Sequence, residues 1–381
     1  MRNLLIGVFL LFSITGFGQT FVDSLKQEVK TEIRAGQYEK ALYTIDGNFS
    51  VVCHDTAGLF EALINLSLFE QDWNTIIKAY KLHKCTAGED TTDLVMARFF
   101  IKHPDEKLSL AQATTIPFKP SSSGTPMIKV KINGKTYHFW FDTGAGMTVL
   151  SSTTAEACKV KMHRNDIGVA LAASGNVVNL SPAIIDSLEI GNLKVRNHQC
   201  TILSQKDLEF RILGIRVLKI DGIIGWNLLQ QLDVTVNNKT REITLAPADA
   251  NKSEKNNFYW FGQPFIACTD SAATIPFTFF LDTGADSPGV YKAYLARVDT
   301  NKAKRKTIAL GSAGGVRRMN TLIFPLIKLK AGGQQLVLKN VSQDPHNEDT
   351  LFECDGVLGI NQFKDKAIHF NVKQGFFEVI N

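Results

Sequence analysis

The tetrapeptide Asp-Thr-Gly-Ala occurs twice, and each copy closes an apolar run. FWFDTGAGMTVLS carries Asp142, and FFLDTGADSPGVY carries Asp282, 140 residues later. A single copy reads as a turn, in which Asp and Thr bond locally and Gly supplies a positive φ. A pair in matching contexts points to internal duplication, which dictates architecture before any single element does. The order of the other parts agrees. GVALAASGNVVNLSPAII is answered by TIALGSAGGVRRMNTLIF, and DGIIGWNLL (Asp221 to Leu229) by DGVLGINQF (Asp355 to Phe363) at an offset of 134. The closing DVTVNNKTREITL is answered by AIHFNVKQGFFEVI. A chain written this way folds as two related lobes.

The texture of both copies is that of strands. MIKVKINGKTYHFWF alternates Ile128, Val130 and Ile132 with lysines, turns at Asn133-Gly134, and returns through Tyr137, Phe139 and Phe141 to Asp142. Ahead of the lobes the period changes. Phe21, Val22, Leu25, Val29 and Ile33 recur at helical spacing, and AGQYEKAL and EQDWNTII align Tyr38 with Trp73 at an offset of 35. That spacing is near the period of tetratricopeptide helix pairs, so the front reads as helical-repeat-like. KPSSSGTP (Lys119 to Pro126) has the composition of a linker. The expected organisation is a signal peptide over 1–18, an α-helical domain over 19–115, a linker over 116–126, a first lobe over 127–247 and a second over 258–381. The fold class is mainly β, two-lobed, with a small helical domain in front.

MRNLLIGVFLLFSITGFGQT has a positive start at Arg2, an apolar centre from Leu4 to Phe12, and small residues at Gly16 and Gly18. This is the pattern of a secretory signal peptide, too short to span a bilayer, so an exported protein without a membrane span is expected, in the periplasm or outside the cell. Export makes the six cysteines disulfide candidates: Cys53 with Cys85, Cys158 with Cys200 and Cys268 with Cys354, free buried thiols being the alternative. No Cys-x-x-Cys or His-x-x-x-His spacing suggests a metal, and no cofactor is indicated. The net charge of +5 is unevenly placed, with 10 Lys/Arg against 14 Asp/Glu from Phe21 to Leu110 and 31 against 23 from Ala111 onward. Neither part carries the dense basic stripe of a nucleic-acid binder.

Two lobes that each bring one carboxylate to a shared axis make a carboxylate pair. Two such groups within hydrogen-bond distance do not both ionise; they share a proton. The charged member can take a proton from water while the protonated one donates to a carbonyl, which equips the pair for hydrolysis by an activated water. Gly144 and Gly284 allow close backbone approach, and the hydroxyls of Thr143 and Thr283 can bond across the lobes. No Gly-x-Ser-x-Gly or His-Glu-x-x-His motif supports a serine hydrolase or zinc peptidase.

The two DTGA loops, with Ile223-Ile224-Gly225 and Val357-Leu358-Gly359, resemble aspartic proteases of the retropepsin and pepsin superfamily over about residues 125 to 381. LDTGAD is close to the retroviral form, whereas two lobes in one chain is the pepsin arrangement. The chain thus looks like a bacterial two-lobed member that works as a monomer, a pseudo-dimer of its lobes. The resemblance implies a two-lobed aspartic-protease β-barrel fold of the double-psi type. It carries the catalytic role over to Asp142 and Asp282, and sets a hydrophobic-Gly segment behind each loop. It also implies glycine-rich flaps, for which Ala173, Ser174 and Gly175 in the first lobe and Ser312, Ala313, Gly314 and Gly315 in the second are candidates, neither containing the pepsin flap tyrosine. Pepsin loops continue with Ser or Thr, whose hydroxyl stabilises the catalytic charge. Ala145 and Ala285 do not, which implies raised carboxylate pKa values and activity toward weakly acidic or neutral pH. The implied substrate is an extended peptide or unfolded protein. The alternative is a silent peptide-binding pseudoprotease, and the acidic helical front is read as a partner-docking module in preference to an inhibitory pro-segment.

Overall fold

A computed structural model describes residues 20–52, 58–82, 91–162, 168–171, 176–212, 215–248, 255–270, 275–312, 315–344 and 351–381. The expected signal peptide and the residues Cys53, Cys85, Ala173, Ser174, Gly175, Ala313 and Gly314 lie outside these.

Six helices come first: α1 (20–34), α2 (Tyr38–Gly47), α3 (Phe49–Val52), α4 (Leu59–Glu70), α5 (Trp73–Leu82) and α6 (Thr92–Phe100). The offset of 35 seen in the sequence marks two equivalent turns. Gly36 (φ +62°) ends α1 before Tyr38, and Gln71 (φ +56°) ends α4 before Trp73. Helix α4 buries Leu59, Phe60, Leu63, Leu66 and Phe69 on nearly every side, because α2 and α5 flank it and the second lobe covers the remainder. There the Trp260 amide donates to the Tyr38 hydroxyl at 2.9 Å, and the rings of Phe69 and Trp260 lie 5.0 Å apart. The Arg34 guanidinium stands 5.4 Å over the Phe352 ring. The first lobe is held as well, with Gln230 donating to the Phe69 carbonyl at 2.8 Å. The helices therefore share one apolar core with both lobes.

Each lobe is a barrel closed by six strands. In the first, Pro126–Ile132, Lys135–Phe141, Gly222–Ile224, Thr148–Ser151, Leu193–Leu203 and Val177–Ile190 pair in that order, and the last returns to the first. In the second, Gln263–Thr269, Phe277–Asp282, Gly356–Gly359, Gly289–Val290, Gln334–Gln343 and Gly315–Ala331 do the same. Closure removes the edges that an open sheet would expose. The Asn133-Gly134 hairpin forms as its letters require, with φ of +45° and +87° and Ile132 paired to Lys135.

The closing hairpin of each lobe leaves its own barrel for a shared five-stranded sheet of Thr114–Pro117, Glu242–Pro247, Leu232–Asn237, Ala367–Asn371 and Phe376–Ile380. Thr235 lies opposite His369, which is its own repeat counterpart 134 residues on, so the pseudo-twofold axis passes through that pair. The segment expected as a linker does join helices to lobe, yet it is firmly built in. Lys119–Pro120 pairs with Pro126–Met127, and fully buried Thr125 donates from Oγ1 to the Gly284 carbonyl at 3.1 Å.

The expected disulfides Cys158–Cys200 and Cys268–Cys354 are not formed; all four are free thiols. They serve as small core residues on separate backbone positions. Cys200 Sγ donates to the Ala183 carbonyl across the sheet at 3.4 Å, and Cys354 Sγ to the Gly356 carbonyl at 3.2 Å. Burial pushes the Cys200 and Cys268 thiols far up, and that of Cys354 to about 12.

Candidate active site

Strands Lys135–Phe141 and Phe277–Asp282 each run toward the axis and deliver an aspartate at or just past their ends. Behind each lies a parallel strand. Ile223 and Ile224 pair with Trp140 and Phe141, and Val357 and Leu358 with Phe280 and Leu281, as the resemblance implies. The glycines ending these segments admit no side chain: a Cβ on Gly225 would sit 2.3 Å from the Met147 carbonyl, and one on Gly359 2.5 Å from that of Ala285. The following amides tie each loop down. Trp226 N donates to Ala145 O at 2.6 Å, and Ile360 N to Ala285 O at 3.0 Å.

The threonines cross the axis reciprocally. Thr143 N donates to Thr283 Oγ1 and Thr283 N to Thr143 Oγ1, both at 3.0 Å. Each hydroxyl passes its own hydrogen to the opposite lobe, Thr143 to Leu281 O at 2.6 Å and Thr283 to Phe141 O at 2.8 Å. Four buried bonds thus hold the loops in register. The carboxyls of Asp142 and Asp282 then face each other, each over the other loop's glycine. A Cβ on Gly144 would lie 2.6 Å from the Asp282 carboxyl, and one on Gly284 2.4 Å from that of Asp142. The sequence grouped these six residues, and the structure brings them together.

The two carboxyls differ electrically. Each residue keeps a partly open face, while protein closes around the carboxylates on the other sides. Burial raises Asp142, but the Gly144 amide, the Asp282 carboxyl and the amides of Gly284 and Ala145 oppose that rise. Burial and then the charge of Asp142 hold Asp282 well above the ordinary carboxylate range, despite amides from Gly284 at 2.8 Å and Ala285 at 3.0 Å. Both carboxyls are thus raised, and a pair this close favours keeping one proton between them.

Of the flap candidates, Ser312 and Gly315 are described. They pair at the tip of a long hairpin, Lys304–Ser312 with Gly315–Ala331. The first-lobe hairpin pairs Leu171 with Val177 just below its own candidates. Two clefts of about 220 and 180 Å³ lie at the junction of helices and lobes, the second bounded by Gly146 and Met147; neither is lined by the aspartates. Among the described residues no group of His, Cys, Asp and Glu is arranged to hold a metal ion.

The sequence reading passed over two asparagines. Asn227 accepts from Thr148 N at 2.8 Å, and its amide N–H groups donate to Gln199 O at 2.8 Å. Asn361 donates to Asp286 O at 2.9 Å and to Ser123 O at 3.1 Å. Both stand two residues after the glycine, in Gly-Trp-Asn and Gly-Ile-Asn, a shared letter that could have revealed them.

The site is thus a pair of facing carboxyls held between two cross-braced barrels. Residues 128–220, which hold the Asp142 loop and most of the first barrel but not its strand Gly222–Ile224, match the family model described as gag-polyprotein putative aspartyl protease. That match supports an aspartyl protease character for this part of the chain. No curated protein matches it.

Proposed function

We propose that the protein is an aspartic-type endopeptidase that hydrolyses peptide bonds with a water held between Asp142 and Asp282. The observation carrying this reading is the facing carboxyl pair, each lying over the other loop's glycine. Asp142 takes a proton from the water as its oxygen attacks the peptide carbonyl carbon, and Asp282 gives its proton to the carbonyl oxygen. The resulting diol collapses when Asp142 passes its proton to the leaving nitrogen, Asp282 recovers one from a diol hydroxyl, and the C–N bond breaks. The pair returns to its starting charge. The substrate of this reading is an extended peptide, laid across the carboxyl pair as a further strand. Export through residues 1–18 and action as a monomer belong to the same proposal.

The test is cleavage of a denatured protein mixture across a pH series. The parent is expected to cut from weakly acidic to near-neutral pH, with Asp142→Asn and Asp282→Asn both silent. A parent that binds unfolded protein without cutting at any pH would establish the pseudoprotease reading instead.

A further inference from the structure

A second buried polar cluster lies behind the first catalytic loop. His198 is fully buried; its Nδ1 stands 2.5 Å from Glu106 Oε2, and its Nε2 2.8 Å from Thr148 Oγ1. An ionised carboxylate only accepts, so Nδ1 carries the hydrogen of that bond. Glu106 also accepts from Gln231 Nε2 at 2.7 Å and from Gln199 N at 3.2 Å. Burial opposes its charge, but His198 and these donors outweigh that and hold Glu106 below its ordinary value. At the other end, Thr148 lies beside Asn227 Oδ1, 2.8 Å from its amide and 3.2 Å from its hydroxyl, and Gly225 N approaches its Oγ1 at 3.4 Å. The chain of contacts thus runs from a carboxylate to the strand that leaves the Asp142 loop and to the glycine that backs it.

Among the described residues, the second lobe has no such cluster at the matching place. Val149 and Leu150 pair with Ile223 and Gly222 as Gly289 and Val290 pair with Val357 and Gly356. The residue standing where Thr148 does is therefore Pro288, which has neither hydroxyl nor amide hydrogen. Glu106 belongs to neither lobe. It sits between α6 and the strand Lys107–Ser109, which joins the first-lobe sheet through Leu193–Leu203. The carboxylate of the cluster thus comes from the exit of the helical domain.

We infer that Glu106, His198 and Thr148 are positioning residues for the Asp142 loop, and that the helical domain completes the first half of the active site through Glu106. The inference rests on the endopeptidase reading. The cluster fixes the Thr148 backbone and Gly225, and with them the angle at which Asp142 meets Asp282. A displacement of about 1 Å at such a pair is expected to cost roughly a hundredfold in rate.

The test compares Thr148→Val, Thr148→Ser, His198→Phe and Glu106→Gln with the parent full-length chain. One arm measures kcat and KM on a fluorogenic unfolded protein; the other follows amide hydrogen exchange. Thr148→Val and His198→Phe are expected to lower kcat about tenfold to a hundredfold with KM little changed. Thr148→Ser, which keeps the hydroxyl, should recover most of that loss. Exchange should quicken over 142–150 and 222–229 while 282–290 and 356–363 stay as in the parent. Unchanged kcat, equal loosening of both lobes, or no loosening of 142–150 would each overturn the inference. A parent that cuts nothing removes the endopeptidase reading alone, because the exchange arm still decides whether the cluster holds the loop.

Discussion

The first Asp-Thr-Gly loop and the second share their letters, their backing strand and their threonine bonds, yet their surroundings have little in common. Behind Asp142 lies the buried network of Asn227, Thr148, His198 and Glu106. Behind Asp282 the support comes from other elements. Asn361 bonds the loop to Ser123, and Thr125 reaches the Gly284 carbonyl from the segment that precedes the first lobe. Duplication fixed what must be identical at the axis and left each half to find its own buttress. The carboxyls follow the same rule: burial raises both, and the charge of Asp142 adds to the rise at Asp282.

The largest effect should come from the glycines. Gly144→Ala and Gly284→Ala each drive a methyl into the opposite carboxyl, and both should lower kcat/KM more than about a hundredfold. A large loss in only one of them would show that the loops do not meet symmetrically. Next come Thr143→Val and Thr283→Val. Each removes a donor to a carbonyl and strands an opposite amide in a buried position, for roughly 2–4 kcal/mol in urea unfolding. The two costs should agree closely, because the bonds are reciprocal.

Charge should break that symmetry. A carboxyl whose folded pKa is raised costs stability above its unfolded pKa, where the unfolded chain releases the proton more readily, and the cost vanishes once both states are protonated. Asp282→Asn should therefore raise the melting temperature at neutral pH, by about a few degrees, and leave it unchanged near pH 3. Asp142→Asn should raise it less. Equal gains would mean that the charge is evenly shared. Adding the missing hydroxyl probes the same difference through rate. Ala285→Ser, by stabilising charge on Asp282, should move the alkaline limb of the pH profile down by up to about one unit, whereas Ala145→Ser should move the acid limb down. The smallest effect belongs to the second loop's buttress: Thr125→Val should cost about 1 kcal/mol and slightly speed exchange at 282–286 only.

What was legible in the sequence was what duplication wrote twice. The loop letters, the backing segments and the Asn-Gly hairpin follow from local chemistry repeated in order, so two copies vouch for each other. The Glu106–His198–Thr148 cluster occurs once and joins residues 92 and 50 positions apart, so neither repetition nor spacing marks it. Composition marked the linker but not its bonds, in which Ser121, Ser123 and Thr125 spend their hydroxyls on one another and on Gly284. For the disulfides it misled. The cysteines count evenly, yet an even count says nothing about which positions face each other. The helical front packs part of its surface on Trp260 and Phe352 of the second lobe, a contact that no period in the helices themselves could disclose.

The reciprocal threonine bonds bear on the birth of the molecule. Thr143 has no partner for its amide or its hydroxyl until residues 281 to 283 exist, and a chain emerging from a ribosome makes those more than a hundred residues later. The first loop must wait, unlatched, while the barrel around it closes. A nascent chain, or one cut short before the second lobe, thus carries one aspartate but not the facing pair, which exists only after the second lobe has been made.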